Sequence, residues 1–307
     1  MREIHTAVVT GPTGAIGHAL CSLLLSEGIE TYAVCRPGSP RAKTLPDGIR
    51  TVFRDASDLS ALPSDVDRAD AFFHLAWTDT VGEGRNDRKA QEKNVGYTLD
   101  ACRAAAALGC SVFVGAGSQA EYGRVDGALR PGTPCRPENE YGKAKLEAGR
   151  LSRAECKKLG IAHIWARILS VYGPFDGEKS MIISVAEALL AGKKPALTKG
   201  EQLWDYIYSD DAADALFLAA KRGRDGAVYP VGSGVARPLR EYVEMLRDAI
   251  DPSLPLGFGE VPYGERQVMR LEADIRALAS DTGFHPETDF KDGIKKTVQY
   301  VRTTKNG

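Results

Sequence analysis

The chain has no surplus of charge of either sign: 40 Lys and Arg stand against 41 Asp and Glu, a formal net charge of −1 over 307 residues. Proteins that coat nucleic acid or an anionic membrane need a basic excess, so neither partner is expected. No apolar run approaches the roughly 20 residues that cross a bilayer. The opening Met-Arg-Glu-Ile-His leads straight into a strand pattern with no leader segment, so a cytoplasmic location is expected. The six cysteines (Cys21, Cys35, Cys102, Cys110, Cys135 and Cys156) show no paired short spacing. That points to reduced, buried thiols rather than a disulfide framework or zinc site. The five histidines (His5, His18, His74, His163 and His285) lack ligand spacing too, so no metal is expected. Internal repeats and low-complexity linkers are also missing.

What is present is a chain 43% hydrophobic, enough for a sizeable core. Strand patterns are predicted over His5–Thr10, Glu30–Cys35, Gly48–Arg54, Ala71–Leu75, Ser111–Gly115 and Ile161–Leu169. Helices are predicted over Ala15–Ser26, Asp87–Leu108 and Tyr141–Leu159, the last two stopped by Gly109 and Gly160. Such alternation predicts an α/β fold, a Rossmann doubly wound parallel sheet covered on both faces. Beyond Pro174 the pattern loosens. Helices over Ile182–Ala191 and Asp211–Lys221 and strands around Tyr206–Tyr208 and Val228–Val231 are expected. Residues 1–174 are read as an NAD(P)-binding Rossmann domain. Residues 175–307 are read mainly as a smaller C-terminal α/β substrate lobe, with segments around 206–221 and 228–231 returning to the sheet.

Between the first strand and first helix lies Gly11-Pro-Thr-Gly14-Ala-Ile-Gly17. Gly11 suits a tight turn, Gly14 a close approach to a pyrophosphate, and Gly17 close packing of helix on strand. The helix N–H groups and dipole would then hold the phosphates. The end of the second strand selects the cofactor: an acid binds the ribose hydroxyl of NAD, an arginine the 2′-phosphate of NADP. Here Cys35-Arg36 is followed by Arg41 and Lys43 with no acid, which favours NADP, with NAD the alternative. Arg36 could equally stack on adenine or face solvent. Asp55, after the third strand, suits either the adenine amino group or a surface turn.

Tyr141-Gly-Lys-Ala-Lys145 opens a helix, and a spacing of four puts phenol and ammonium on one face. A cation beside a phenol is expected to lower its pKa, so that it can exchange a proton with a carbinol while hydride moves. Ser118 follows the fifth strand, at the sheet end where open α/β folds build their sites. Its hydroxyl is read as orienting the reacting oxygen, against the alternative of a turn serine bonding its own backbone.

With these residues in place, the chain resembles the extended short-chain dehydrogenase/reductases, the NAD-dependent epimerase/dehydratase group that acts on nucleotide sugars. The resemblance covers almost the whole chain: Gly11 to Gly17, Asp55, His74-Leu-Ala-Trp77, Asn94, Ser118 with Tyr122-Gly123, Tyr141 with Lys145, Arg167-Ile-Leu-Ser-Val-Tyr-Gly-Pro174, Asp205 to Asp211, and Gly283 to Pro286. It implies Ser118, Tyr141 and Lys145 as the catalytic residues. It implies a cofactor site of Gly11, Thr13, Gly14, Ala15, Ile16, Gly17, Arg36, Asp55, Leu75, Ala76, Trp77, Asn94, Tyr141, Lys145 and Leu169. Gln119, Ser170, Trp204 and Arg266 are the substrate candidates. The resemblance further implies a nucleotide-sugar substrate, hydride transfer at a sugar carbon by a 4-ketoreductase or 4-epimerase, and a homodimer joined through the helices 87–108 and 141–159. The alternatives are a reductase of a small carbonyl compound without the nucleotide and a non-catalytic dinucleotide sensor. Four departures from the family pattern stand out. Trp77 replaces a small residue, Ser170 an Asn, and Trp204 an Arg that grips a diphosphate; Gln119-Ala120 replaces the Asp-Glu of dehydratases, which disfavours 4,6-dehydration.

Overall fold

The computed structural model describes residues 1–265 and 267–305. In chain order the main elements begin with β1 (Thr6–Thr10), α1 (Ala15–Ser26), β2 (Glu30–Cys35), β3 (Arg50–Phe53) and β4 (Ala71–His74). There follow α2 (Arg88–Ala107), β5 (Val112–Ser118), α3 (Glu140–Leu159), β6 (Ala162–Ile168) and β7 (Ser170–Tyr172). Next come α4 (Met181–Leu190), β8 (Ala196–Leu197), β9 (Leu203–Trp204), β10 (Tyr206–Tyr208), α5 (Ser209–Arg222) and β11 (Ala227–Val231). The chain ends with β12 (Arg237–Pro238), α6 (Leu239–Asp248), β13 (Gly257–Phe258), β14 (Arg270–Leu271), α7 (Arg276–Thr282) and α8 (Phe290–Lys305).

Seven parallel strands form one sheet in the order β11-β6-β5-β4-β1-β2-β3. This is a Rossmann-type α/β fold. β1 is buried over Ala7–Thr10 and all of β4 is buried, as parallel strands covered on both faces require. Alternation then sorts the side chains. Val9 and Phe73 join Leu20 and Leu24 of α1 and Leu216 of α5 on one face. Val8, Phe72 and Phe113 meet Ala101 and Ala105 of α2 on the other.

The direction of winding reverses between β1 and β4, and an open sheet leaves a crevice there at its carboxyl end. Thr10 and His74 close this point: the Thr10 hydroxyl lies 3.0 Å from His74 Nδ1 and accepts from the Leu75 and Ala76 N–H groups at 3.2 Å each. Burial pushes the His74 imidazole down to about 3, so it is a neutral structural group.

Smaller sheets pair β7 with β10, β9 with β12 and β14, and β8 with β13. Tyr172, Ile182, Ala186, Tyr242, Leu246, Phe290 and Val298 form their own apolar cluster. Two buried carboxylates staple this region. Asp205 accepts from the Ser233, Gly234 and Ala273 N–H groups, and Asp211 from those of Glu287 and Thr288.

The sequence reading needs correction at the fifth strand, which runs on to Ser118 instead of stopping at Gly115. It also passed over α6 and α8. Helix α6 lacks a side-chain N-cap, but it sets a buried face of Tyr242, Val243 and Leu246 against Arg240, Glu241, Glu244 and Arg247, an amphipathic pattern that the sequence does carry. Among the described residues, no helix is long and apolar enough to cross a membrane.

Candidate active site

The glycine loop has a shape that a pyrophosphate fits. Gly11 has φ +69°, and a Cβ there would lie 2.9 Å from the Ala76 nitrogen. A Cβ on Gly17 would run into the Gly11 carbonyl and lie 2.7 Å from Pro12 Cα, so α1 packs on the loop only because that side chain is missing. Gly14 differs: a Cβ there would meet nothing within 4 Å. It is the N-cap of α1, with no side-chain cap and no acid in the first turn. The helix N-terminus therefore opens into free space, with its donors and positive dipole end available to an anion. Thr13 lines the same space, while Ala15 and Ile16 begin the helix half-buried.

A cleft of about 1180 Å³ runs from this loop past Arg36 and Asp55 to Leu75, Ala76 and Trp77. Arg36 is exposed at its edge. Asp55 caps the following 3-10 helix, accepting from the Ser57 N–H at 3.0 Å and hydroxyl at 2.8 Å, and these bonds hold its carboxyl below the usual range. Arg41 donates to the Phe175 carbonyl at 2.7 Å, and the His18 and Phe175 rings stack 3.6 Å apart beside the loop. Asn94 is buried and ties the segment after β4 to α2. Its amide accepts from the Thr78 N–H at 3.0 Å and donates to the Thr78 and Ala90 carbonyls at 3.2 Å. Leu169 is buried in an apolar cluster with Tyr122 and Leu271.

Ser118, Tyr141 and Lys145 meet at the carboxyl end of β5. Ser118 is the last residue of that strand; its hydroxyl accepts from the Ala120 N–H at 3.2 Å, as a turn serine does, and lies near enough to the Tyr141 phenol to act on it. Asn139 caps α3 by accepting from the Gly142 N–H at 2.8 Å, which sets the first turn carrying Tyr141. One turn on, Lys145 is 3% exposed. Its ammonium donates to the Ala116 carbonyl at 2.6 Å, lies 3.7 Å over the Trp77 ring and 5.8 Å from the centre of the Tyr141 ring. Trp77 thus borders both the cleft and the catalytic group, and its indole N–H is tied to Gln91 Oε1 at 2.8 Å. Gln91 in turn donates to the Asp79 and Gly84 carbonyls, pinning a loop whose Arg85 stacks 4.2 Å over the Tyr141 ring.

The expected lowering of Tyr141 by Lys145 is not what the structure shows. Burial pushes the phenol up, opposed by the Ser118 hydroxyl and by Arg85. Lys145 itself is pushed down to about 7 by burial, partly offset by Glu121. The ammonium donates to the Ala116 carbonyl and sits over the Trp77 indole, while the Arg85 guanidinium stacks on the phenol ring.

Of the substrate candidates, Gln119 opens a one-turn 3-10 helix, Gln119–Glu121, directly after Ser118. Ser170 and Trp204 touch each other: the indole N–H donates to the Ser170 hydroxyl at 2.8 Å. Two departures from the family pattern are therefore one contact. Arg266 lies outside the described residues. The sequence reading did not single out Gln91, Arg85, Trp165 and Glu121. A signal for Trp165 was present in Gly115 and Gly117: strand glycines mark a bulky neighbour, and Cβ atoms at either position would collide with this indole.

Comparison with known proteins places the chain in a family. The sequence model described as the NAD dependent epimerase/dehydratase family matches residues 7–232. A dTDP-glucose 4,6-dehydratase of Actinoplanes is 29% identical over 188 residues, 60% of this chain; the match spans 58% of that relative's length. A dTDP-6-deoxy-L-talose 4-dehydrogenase (NAD(P)(+)) of Kitasatospora kifunensis is 28% identical over 96% of each chain. Among solved structures, MoeE5 in complex with UDP-glucuronic acid and NAD superimposes with a TM-score of 0.84 at 27% identity, over 97% of this chain and 99% of that one.

Proposed function

The chain belongs to the NAD dependent epimerase/dehydratase family, and from that membership we propose a nucleotide-sugar oxidoreductase that moves hydride at a sugar carbon, as a 4-ketoreductase or 4-epimerase. The observation that carries this reading is the meeting of Ser118, Tyr141 and Lys145 beside Trp77, at the end of the cleft that the glycine loop opens. Gly11 and Gly14 would hold the dinucleotide's pyrophosphate, with Gly17 packing α1 against their loop and Leu75, Ala76 and Asp55 along the cleft wall. Arg36, with no acid at the end of β2, favours NADP over NAD. When bound, the nicotinamide supplies or takes up the hydride.

The chain's own groups handle the proton. Ser118 Oγ orients the reacting oxygen. Tyr141 Oη, kept protonated by burial, delivers a proton to that oxygen as a carbonyl is reduced, or receives one in the reverse step. Lys145 Nζ, poised near 7, balances the charge next to the phenol. Positions 119 and 120 carry Gln and Ala and offer no carboxyl group for water elimination, which weighs against 4,6-dehydration. A cytoplasmic homodimer joined through α2 and α3 completes the reading.

The test is the stoichiometry of NADPH loss with keto-sugar nucleotides. A reductase consumes one cofactor per sugar. Isomerisation of UDP-sugars with no net loss would identify the epimerase, and neither activity would sink the reading. The Trp204–Ser170 bond favours one second reading, a reductase of a smaller carbonyl compound, because it puts an indole where a guanidinium would grip a diphosphate. Raised thermal stability with UDP, CDP, GDP or dTDP would count against that alternative, since a ligand bound only by the folded state stabilises it.

A further inference from the structure

Directly beneath Ser118 lies a carboxylate with no part in the chemistry described so far. Glu121 is fully buried, 0% exposed. Its Oε1 accepts from the Ser118 main-chain N–H at 2.8 Å and from Trp165 Nε1 at 2.9 Å, and its Oε2 accepts from Arg167 Nε at 2.6 Å. Arg167 is almost as deeply buried and lies 4.5 Å over the Tyr122 ring. The surroundings are cut to fit. A Cβ on Gly117 would lie 2.5 Å from Glu121 Oε1, and one on Gly142, next to Tyr141, would run into the Ala120 carbonyl. The turn carrying Glu121 is thus wedged against the end of β5 and the first turn of α3 at once.

Burying an ion pair is costly and seldom repaid in stability alone. This one sits where it can act on the reacting groups. Lys145 faces Glu121, His74 from β4, the Tyr141 phenol and the Trp77 ring. Tyr141 faces Ser118 from β5, Arg85 from the loop before α2, and Glu121. Glu121 is the negative charge common to both sets.

We propose that Glu121 is a positioning residue for the catalytic group: it fixes the main chain of Ser118 from below and supplies the negative charge against which Lys145 and Tyr141 work. The inference rests on the reading of Ser118, Tyr141 and Lys145 as that group. Its charge favours the ammonium of Lys145 and the protonated phenol of Tyr141. Removing it therefore moves the titration of both to lower pH, whereas loss of a merely structural prop would leave both in place.

The test follows the Lys145 Nζ resonance of the full chain by nitrogen-15 NMR across pH, in wild type, Glu121→Asp and Glu121→Gln. The proton affinity of Lys145 falls about tenfold in Glu121→Gln, one pH unit in its midpoint. Glu121→Asp, which keeps the charge and shortens the arm, leaves the midpoint near the wild-type value and lowers the hydride-transfer rate with little change in KM. If Glu121→Gln leaves Arg167 uncompensated and the chain does not fold, Glu121→Gln is placed on Arg167→Met and compared with Arg167→Met alone, so that loss of the cation cancels. A folded variant without the carboxylate whose Lys145 titrates as in its carboxylate-bearing parent overturns the proposal. Because the titration needs no turnover, its result is independent of whether any nucleotide sugar is a substrate.

Discussion

On the cofactor side of the cleft the main chain does the shaping. Gly11 and Gly17 let backbone lie on backbone, and the uncapped N-terminus of α1 opens at Gly14. On the substrate side, side chains do it. Trp204 and Ser170 bond to one another, and β9 is held between β12 and β14. Backbone cradles recognise what every dinucleotide shares, the pyrophosphate; side-chain walls recognise what differs among substrates. The proposed catalytic group of Ser118, Tyr141 and Lys145 meets the cofactor side through Trp77.

The first way to break this comparison is at the junction. Tyr141→Phe should lower hydride transfer by about 10²–10⁴-fold while leaving the fold intact, measured as turnover beside a thermal melt. Survival of full activity would revive a non-catalytic, cofactor-sensing role.

The cofactor side predicts a contrast between two glycines. Gly17→Ala should cost about 1–3 kcal/mol of stability, because its methyl group meets main-chain atoms that cannot swing aside. Gly14→Ala should leave the melting temperature nearly unchanged and weaken NADPH binding, because its methyl group enters only the space the phosphates need. Denaturation and cofactor titration of the two variants together sharpen the distinction between packing and binding.

The floor of the cleft carries a pH signature. His74 is pushed down from 6.5 to about 3, so between those values the unfolded chain binds a proton that the folded chain refuses. Stability should be lost as pH falls from 6.5 towards 3, by about 1 kcal/mol per unit from this residue. His74→Gln should flatten that part of a stability–pH curve. An unchanged slope would assign the acid sensitivity elsewhere.

On the substrate side the smallest effect is expected. Trp204→Phe removes the bond to Ser170 and keeps most of the apolar bulk, at a cost of about 1 kcal/mol in a denaturant melt. NADPH affinity should stay the same; a marked loss would mean that the two regions are not separable.

The same division explains what could be read from the sequence. Strands β1, β2 and β4 and helix α1 were legible because continuous apolar runs and one amphipathic face suffice to specify them. The glycine loop was legible because its geometry depends on missing side chains. Ser118, Tyr141 and Lys145 could be named because strand end and helix spacing bring them together. The environment that tunes them could not. Lys145 is governed by an indole from β4's end and a carboxylate from the next turn, contacts that no local periodicity encodes. Helices α6 and α8 carry apolar faces in mostly polar sequence and were legible by periodicity; what the sequence does not carry is the cluster that they join, which gathers residues from Tyr172 to Val298. The Trp204–Ser170 contact joins positions 34 residues apart, so each departure was visible alone and their meeting was not.

The most direct test is a single turnover with NADPH carrying deuterium at the transferable nicotinamide position and a 4-keto-sugar nucleotide, wild type beside Tyr141→Phe. Deuterium on the sugar carbon from the wild type, and almost none from the variant in the same time, is the predicted result. Equal labelling by both proteins, or no label from either, would contradict a hydride-transfer site built on Ser118, Tyr141 and Lys145.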